Sequence, residues 1–166
     1  MLWVGDVTYI PTDEGWLYLA TVLDACSRRL LGWSLADHLR TELCLGALEA
    51  AVGCRGGRGS VAGVVFHSDK GCQYTAEDYR LACADLSISQ SMGSVGDSYD
   101  NAMAESFFSG FKREAVDGEH FATKDQARAA VFEWIIWYNA RRLHSSLGQR
   151  PPIEYEQHLT DQLLAA

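Results

Sequence analysis

The sequence has no apolar run near the roughly 18 residues that a membrane-spanning helix needs. A membrane partner is therefore not expected. No basic residue precedes the first apolar segment and Asp6 interrupts it, which argues against a secretory signal and for a cytoplasmic protein. The five cysteines (Cys26, Cys44, Cys54, Cys72 and Cys83) are odd in number and form no C-x-x-C pair. That pattern excludes a disulfide framework, makes zinc an unsuitable metal and fits reduced thiols. A G-x-x-x-x-G-K-[ST] phosphate loop is missing, as is the nucleophile elbow of a Ser-His-Asp hydrolase. There is no internal repeat and no low-complexity segment. Positive charge is also short: the formal net charge is −8, with no overall basic footprint for nucleic acid.

What is present suits one globular domain: 166 residues, 48% hydrophobic and 11% aromatic, enough to bury a proper core. Total charge is not local charge. Arg28-Arg29, Lys112-Arg113 and Arg141-Arg142 are compact basic pairs that folding can bring to one face.

Strands come first. Trp3 to Ile10 is apolar and β-branched, Asp13-Glu14-Gly15 makes a turn, and Trp16 to Leu23 is an almost continuous apolar run. Such a run suits a central strand covered on both faces. Ser27-Arg28-Arg29 is a second turn before Leu30 to Leu35, so an antiparallel meander is predicted. A helix with Thr41 as N-cap follows, with Leu45, Leu48 and Val52 facing the core. Five glycines between Gly53 and Gly63 predict a flexible connection before a short buried strand, Val64 to His67. Thr75 and Asp78 predict a capping box on a second helix, Leu86 to Gln90 a fifth strand, and Met92 to Tyr99 a mobile loop. A helix capped by Asp100 runs to about Glu114. Thr123 and Gln126 cap another, whose stripe is Ala127, Val131, Trp134, Ile135, Tyr138 and Arg142. Pro151-Pro152 is expected to stop regular structure, leaving a core over 1–158 and a short tail over 159–166. The pattern is α/β with a mixed sheet.

Three acids stand out. Asp6 sits inside an apolar strand, where aspartate is disfavoured; its bland reading is an edge acid facing water. Asp69 follows the strand ending near His67, and carboxyl ends of strands are where open α/β sheets place their sites. A turn or cap role is its plain alternative. Glu105 lies in the helix after Asp100, where a solvent-facing glutamate is ordinary. Thirty-five residues separate it from Asp69, but with 22 acids in 166 positions that spacing alone is weak.

The surrounding blocks are more specific. Trp3-Val-Gly-Asp6-Val-Thr-Tyr-Ile10, Gly15-Trp-Leu-Tyr-Leu-Ala20 and Asp24-Ala-Cys-Ser-Arg28 resemble the opening of an insertion-sequence transposase core. His67-Ser-Asp69-Lys-Gly-Cys-Gln-Tyr74, then Ser91-Met92 and Tyr99-Asp-Asn-Ala-Met-Ala-Glu105-Ser-Phe-Phe108, look like its second and third blocks. Lys112 and Tyr138-Asn-Ala-Arg-Arg142-Leu-His144-Ser-Ser-Leu147 close the pattern. Over about residues 3 to 155 the chain resembles transposases of the insertion sequence three family, whose catalytic domain is similar to retroviral integrases.

The resemblance implies an RNase H-like fold with a mixed five-stranded sheet: an antiparallel meander, then parallel strands, flanked by helices. It implies a catalytic, metal-binding triad of Asp6, Asp69 and Glu105 and two magnesium ions, or manganese in their place. Asp6 would bridge the ions, while Asp69 and Glu105 would each hold mainly one. The implied activity is cleavage and transfer of transposon-end DNA into target DNA by a homo-oligomer. Three carboxylates in one pocket repel one another, and divalent cations remove that penalty. Asn101, Glu105, Phe108 and Lys112 fall on one helical face, with Lys112 about 10 Å beyond Glu105 and suited to a DNA phosphate. Asn101, Lys112, Gln73, Arg142 and His144 are the candidate DNA contacts. His67 is a candidate partner of Asp69 or a core histidine, and Phe107 reads as core.

Two departures qualify the match. The family often has basic residues in the loop before Tyr99, where this chain has Ser94-Val95. Family members also carry an upstream helix-turn-helix region, absent before residue 1. A fragment, a split-frame product or a core paired with a separate helix-turn-helix polypeptide is expected. A catalytically idle fragment, or a regulatory protein binding DNA or transposase, is the rival reading. A stand-alone RNase H-like nuclease is the third.

Overall fold

The computed structural model describes residues 1–92 and 98–165, with side chains throughout these except at 98–101. Five strands form one sheet in the order β3-β2-β1-β4-β5. Strands β1 (Leu2–Thr12), β2 (Gly15–Asp24) and β3 (Leu30–Ala36) form the antiparallel meander. Strands β4 (Val65–Ser68) and β5 (Ser89–Met92) then add in parallel beside β1. The mixed sheet expected from the sequence is present.

Helices cover both faces, and β2 shows why its sequence is apolar throughout. Leu17, Leu19 and Leu23 enter one core and Ala20 and Val22 the other. On the second side α1 (Thr41–Cys54) buries Leu43, Cys44, Ala47, Leu48 and Ala51, while Leu45 is only partly buried. The one-turn α2 (Cys72–Thr75) and α3 (Glu77–Asp85) complete that layer, with Tyr79 packed on Phe66. On the first side lie α4 (Ser98–Phe111) and α5 (Lys124–Ala140), joined through a π-turn over Lys112–Val116. Phe107 is buried and meets Trp134 and Tyr138 edge-on, with ring centroids 5.5 and 5.1 Å apart. Such edge-to-face pairs fix α4, and so Glu105, against α5.

The Thr123–Gln126 capping box forms as the sequence predicts. Other local expectations are corrected. Arg40, not Thr41, is the N-cap of α1, without a side-chain bond. Ala76 caps α3, because the Thr75 hydroxyl turns back to the carbonyls of Gly71 and Cys72. The fifth strand begins at Ser89, after Leu86 and Ile88 have been buried in the approach to it. Helix α4 starts at Ser98, ahead of Asp100, and Arg142 lies beyond the end of α5. Phe108 is buried, so it does not share solvent with Glu105, and Lys112 begins the π-turn directly after α4. Pro151-Pro152 does not stop regular structure. Pro152 opens α6 (Pro152–Leu164), since a helix's first N–H needs no partner and proline supplies the required φ. The loop expectation over 92–99, including Ser94-Val95, falls largely outside the described residues.

Candidate active site

Strand pairing brings the first two acids together. The parallel register of β1 and β4 ends at Val4 opposite His67. Asp6 and Asp69 each stand two residues further on, where β4 ends and the strands part. Gly5 makes this packing possible. A Cβ there would collide with the Phe66 ring, so glycine lets β4 pack close behind Asp6. Ala104 and Glu105 on α4 form the opposite wall of a cleft of 170 Å³, which Asp6, His67, Ser68 and Asp69 also line.

Local backbone groups aim the two aspartates. The Val7 N–H donates to Asp6 Oδ1 at 2.7 Å, and the Gly71 N–H donates to Asp69 Oδ1 at 3.0 Å. A side chain at Gly71 would crowd Asp69 Oδ1. Burial pushes the Asp6 carboxyl up from 3.8 to about 6; the Val7 bond opposes that rise, and the charges of Asp69 and Glu105 add to it. Asp69 and Glu105 are exposed. Among the described residues no cation is ion-paired to any of the three acids.

That charge balance and the all-oxygen donor set fit a hard divalent cation. Among the described residues no three His, Cys, Asp or Glu groups stand close enough together to hold an ion as placed.

The other candidates separate. His67 is buried in the wall of the acid cleft, with Nδ1 3.4 Å from Ser91 Oγ. Gln73 lies in an adjoining recess with Asp6, Asp69 and Tyr9, and its Nε2 donates to the Leu39 carbonyl. Lys112 donates to the Tyr9 carbonyl at 2.8 Å and sits 4.4 Å over the Tyr9 ring. Arg142 and His144 line a different cleft, on the other side of α4. The Asn101 side chain lies outside the described residues. Asn139 has a role not drawn from the sequence: its amide exchanges two hydrogen bonds of 2.9 Å with the Leu30 backbone, clamping α5 to the start of β3. Its place in the Tyr138-Asn139 block was the available signal. Gly5 was legible too, as a glycine inside an apolar strand.

Solved structures with this architecture include the catalytic core domain of BIV integrase: TM-score 0.65, 17% identity, 98% of this chain and 97% of that one covered. Another is the HTLV-2 integrase catalytic core domain in complex with magnesium, with TM-score 0.63, 13% identity and coverage of 93% and 94%. The fold is RNase H-like. Two integrase core domain models match the sequence, over residues 1–98 and 86–152, so the chain belongs to the integrase core domain family. Similar curated proteins include the transposase for insertion sequence element IS904 of Lactococcus lactis, 37% identical over 158 residues. Transposase InsF for insertion sequence IS3A of Escherichia coli K12 is 41% identical over 155 residues. These alignments cover 95% and 93% of this chain but 61% and 53% of the relatives, so the chain spans little more than half their length.

Proposed function

We propose that the chain is a DNA strand-transfer core acting at insertion-sequence ends, with Asp6, Asp69 and Glu105 as its catalytic acids. The observation that carries this reading is one cleft lined by all three, where burial and neighbouring acids raise Asp6 and no cation compensates it. A site left in that electrostatic state is built for a positively charged ligand. Asp6, Asp69 and Glu105 would hold magnesium, or manganese in its place. Two such ions, when bound, supply charge stabilisation to the attacking and leaving oxygens of a phosphoryl displacement.

The chain's own residues do the positioning. The Val7 and Gly71 amides orient the aspartates, and the aromatic contacts of Phe107 hold the helix that presents Glu105. Water attacks the phosphorus at the element end, leaving a 5′-phosphate and releasing a 3′-hydroxyl. That hydroxyl then attacks a target phosphodiester, forming the new link as the target strand's own 3′-oxygen leaves, and no covalent enzyme intermediate is required. The partners are transposon-end and target DNA, a further copy of the chain and a helix-turn-helix polypeptide, in the bacterial cytoplasm. Among the described residues no helix is long and apolar enough to cross a membrane.

The test is magnesium-dependent nicking of duplex DNA carrying the element's terminal repeats. The purified chain should nick it and Asp69→Asn should not; equal nicking by both would remove the acids from the mechanism. A second reading, a catalytically idle core, draws on the absence of a ready-formed three-ligand group among the described residues. Any magnesium-dependent turnover by the purified chain eliminates it.

A further inference from the structure

Helix α4 has a second cleft on its far side. Glu105 lines the acid cleft, whereas Ser106, Phe107 and Gly110 line a cavity of 530 Å³. On a helix of 3.6 residues per turn these positions point well away from Glu105, and the helix body of about 10 Å separates the two clefts. The cavity falls within the range of about 300–1,000 Å³ typical of ligand pockets.

Its chemistry is unusual for a chain of net charge −8. Two arginines far apart in sequence, Arg28 and Arg142, both line it, together with Tyr138, Ser145 and Ser146. They are held differently. The Arg142 guanidinium is locked by Glu114, with Nη2–Oε1 at 2.8 Å and Nε–Oε2 at 3.0 Å, leaving Nη1 3.5 Å from His144 Nδ1. Burial, then the charges of Arg142 and Arg28, pull His144 down to about 4. Its imidazole is thus neutral at pH 7, and both guanidinium groups are near enough to act on it.

Arg28 has no acid partner among the described residues, while the adjacent Arg29 turns away to Glu156. The turn that aims Arg28 is strongly built. Its φ is 61°, in the left-handed region that non-glycine residues seldom adopt. Asp24 Oδ1 accepts from the Cys26 and Ser27 amides, and the Tyr138 hydroxyl donates to the Arg28 carbonyl at 2.9 Å. An unpaired guanidinium, a pre-oriented one and two neighbouring serines are groups that receive a backbone phosphate, while the Tyr138 and Phe107 rings behind them are buried core.

We propose that this second cleft holds one backbone phosphate of the DNA substrate between Arg28 and Arg142, about one helix diameter from the catalytic acids. The proposal rests on the DNA strand-transfer reading above and adds a backbone contact to it.

The test measures binding of a short fluorescent DNA duplex to the whole chain by anisotropy, without metal, across a salt series. Arg28→Ala should weaken binding about three- to tenfold and flatten the plot of log affinity against log salt by about 0.9, the share of one phosphate contact. Arg28→Glu should weaken it further, and Arg28→Lys, which keeps the charge, should retain most of the slope. Thermal melting of each variant checks that the turn is intact. Unchanged affinity and slope in both Arg28→Ala and Arg28→Glu, with wild-type binding and nicking present, overturn the cleft assignment alone. A wild-type chain that neither binds nor nicks DNA overturns the strand-transfer reading as well.

Discussion

Glu156 and Asp24 share their surroundings with the guanidinium groups of Arg29 and Arg55, whereas Asp6, Asp69 and Glu105 share theirs with one another. In the first cluster Arg29 Nη1 lies 2.6 Å from Glu156 Oε2, and Arg55 Nη2 lies 3.0 Å from Asp24 Oδ2. The Ser27 hydroxyl donates to Glu156 Oε1 at 2.7 Å. Burial alone would raise the Glu156 carboxyl, but the bonds from Arg55, Arg29 and Ser27 outweigh it and hold it below its ordinary range. In the second cluster burial acts with the neighbouring acids, and Asp6 rises to about 6. Charge compensation, not burial, separates the two. The compensated acids tie α6 and the end of α1 to the β2–β3 turn, so their energy belongs to the fold. Asp6, raised by burial and by its acidic neighbours, is instead a cost to the fold, and the proposed metal would offset it.

The same chemical change in each cluster should therefore give opposite results. Glu105→Gln should lower magnesium-dependent nicking about 100-fold or more, because several kcal/mol of transition-state stabilisation is at stake. Its melting temperature should not fall. Glu156→Gln should leave nicking per folded molecule intact but cost about 1–3 kcal/mol, below the full penalty of a deeply buried pair because Arg29 and Arg55 keep some solvent. Paired denaturation curves and nicking rates decide the matter. If Glu105→Gln is the destabilised variant, or Glu156→Gln the inactive one, the division between fold charge and site charge collapses.

The sequence carried one half of this contrast better than the other. Asp6 was conspicuous because aspartate does not belong in an apolar strand, and Asp69 because it follows one. The first strands themselves showed through apolar, β-branched runs, and the almost continuous run of β2 matches side chains entering a core on each face. Glu156 gave no local sign, since its partners lie 101 and 127 residues away and no periodicity links them. Cap residues misled for a related reason: Thr75 and Thr41 have the right chemistry for N-caps, but a neighbouring one-turn helix and Arg40 take those places. The prolines at 151 and 152 signalled an interruption when they marked a beginning, because proline fits the first helical turn as well as it breaks later ones.

A pH titration sharpens the comparison further, since the two shifts have opposite signs. A carboxyl raised in the folded state is ionised first in the unfolded chain as pH rises. Asp6 should thus remove stability between about pH 4 and 6 in the metal-free protein, on the order of 1–3 kcal/mol in total. Glu156, lowered from 4.5, adds stability above that value and loses it as pH falls through its lower folded value. Melting temperature in the absence of metal should show both limbs, and Asp6→Asn should erase only the loss between 4 and 6. Saturating magnesium should raise the wild-type melting temperature near pH 7, by mass action, and do less for Asp6→Asn. A magnesium shift identical in both proteins places the ion elsewhere.

Lys112 is a third arrangement, a cation near the acid cluster that neutralises none of it. Its ammonium gives one N–H to the Tyr9 carbonyl and lies over the Tyr9 ring, three residues along β1 from Asp6. Three N–H donors less one leaves two, anchored on the strand that carries the first acid. A lysine held this way is fixed in place by a carbonyl and a ring, with no described acid against it, and the proposed strand-transfer role would use it to hold a phosphate of the DNA. Lys112→Met keeps the aliphatic stem and removes the charge. It should cost only about 0.5–1 kcal/mol of stability, the value of an exposed cation–π contact, while flattening the salt dependence of DNA binding by about 0.9. A larger loss of stability with an unchanged salt slope would make Lys112 a clamp on β1 and nothing more.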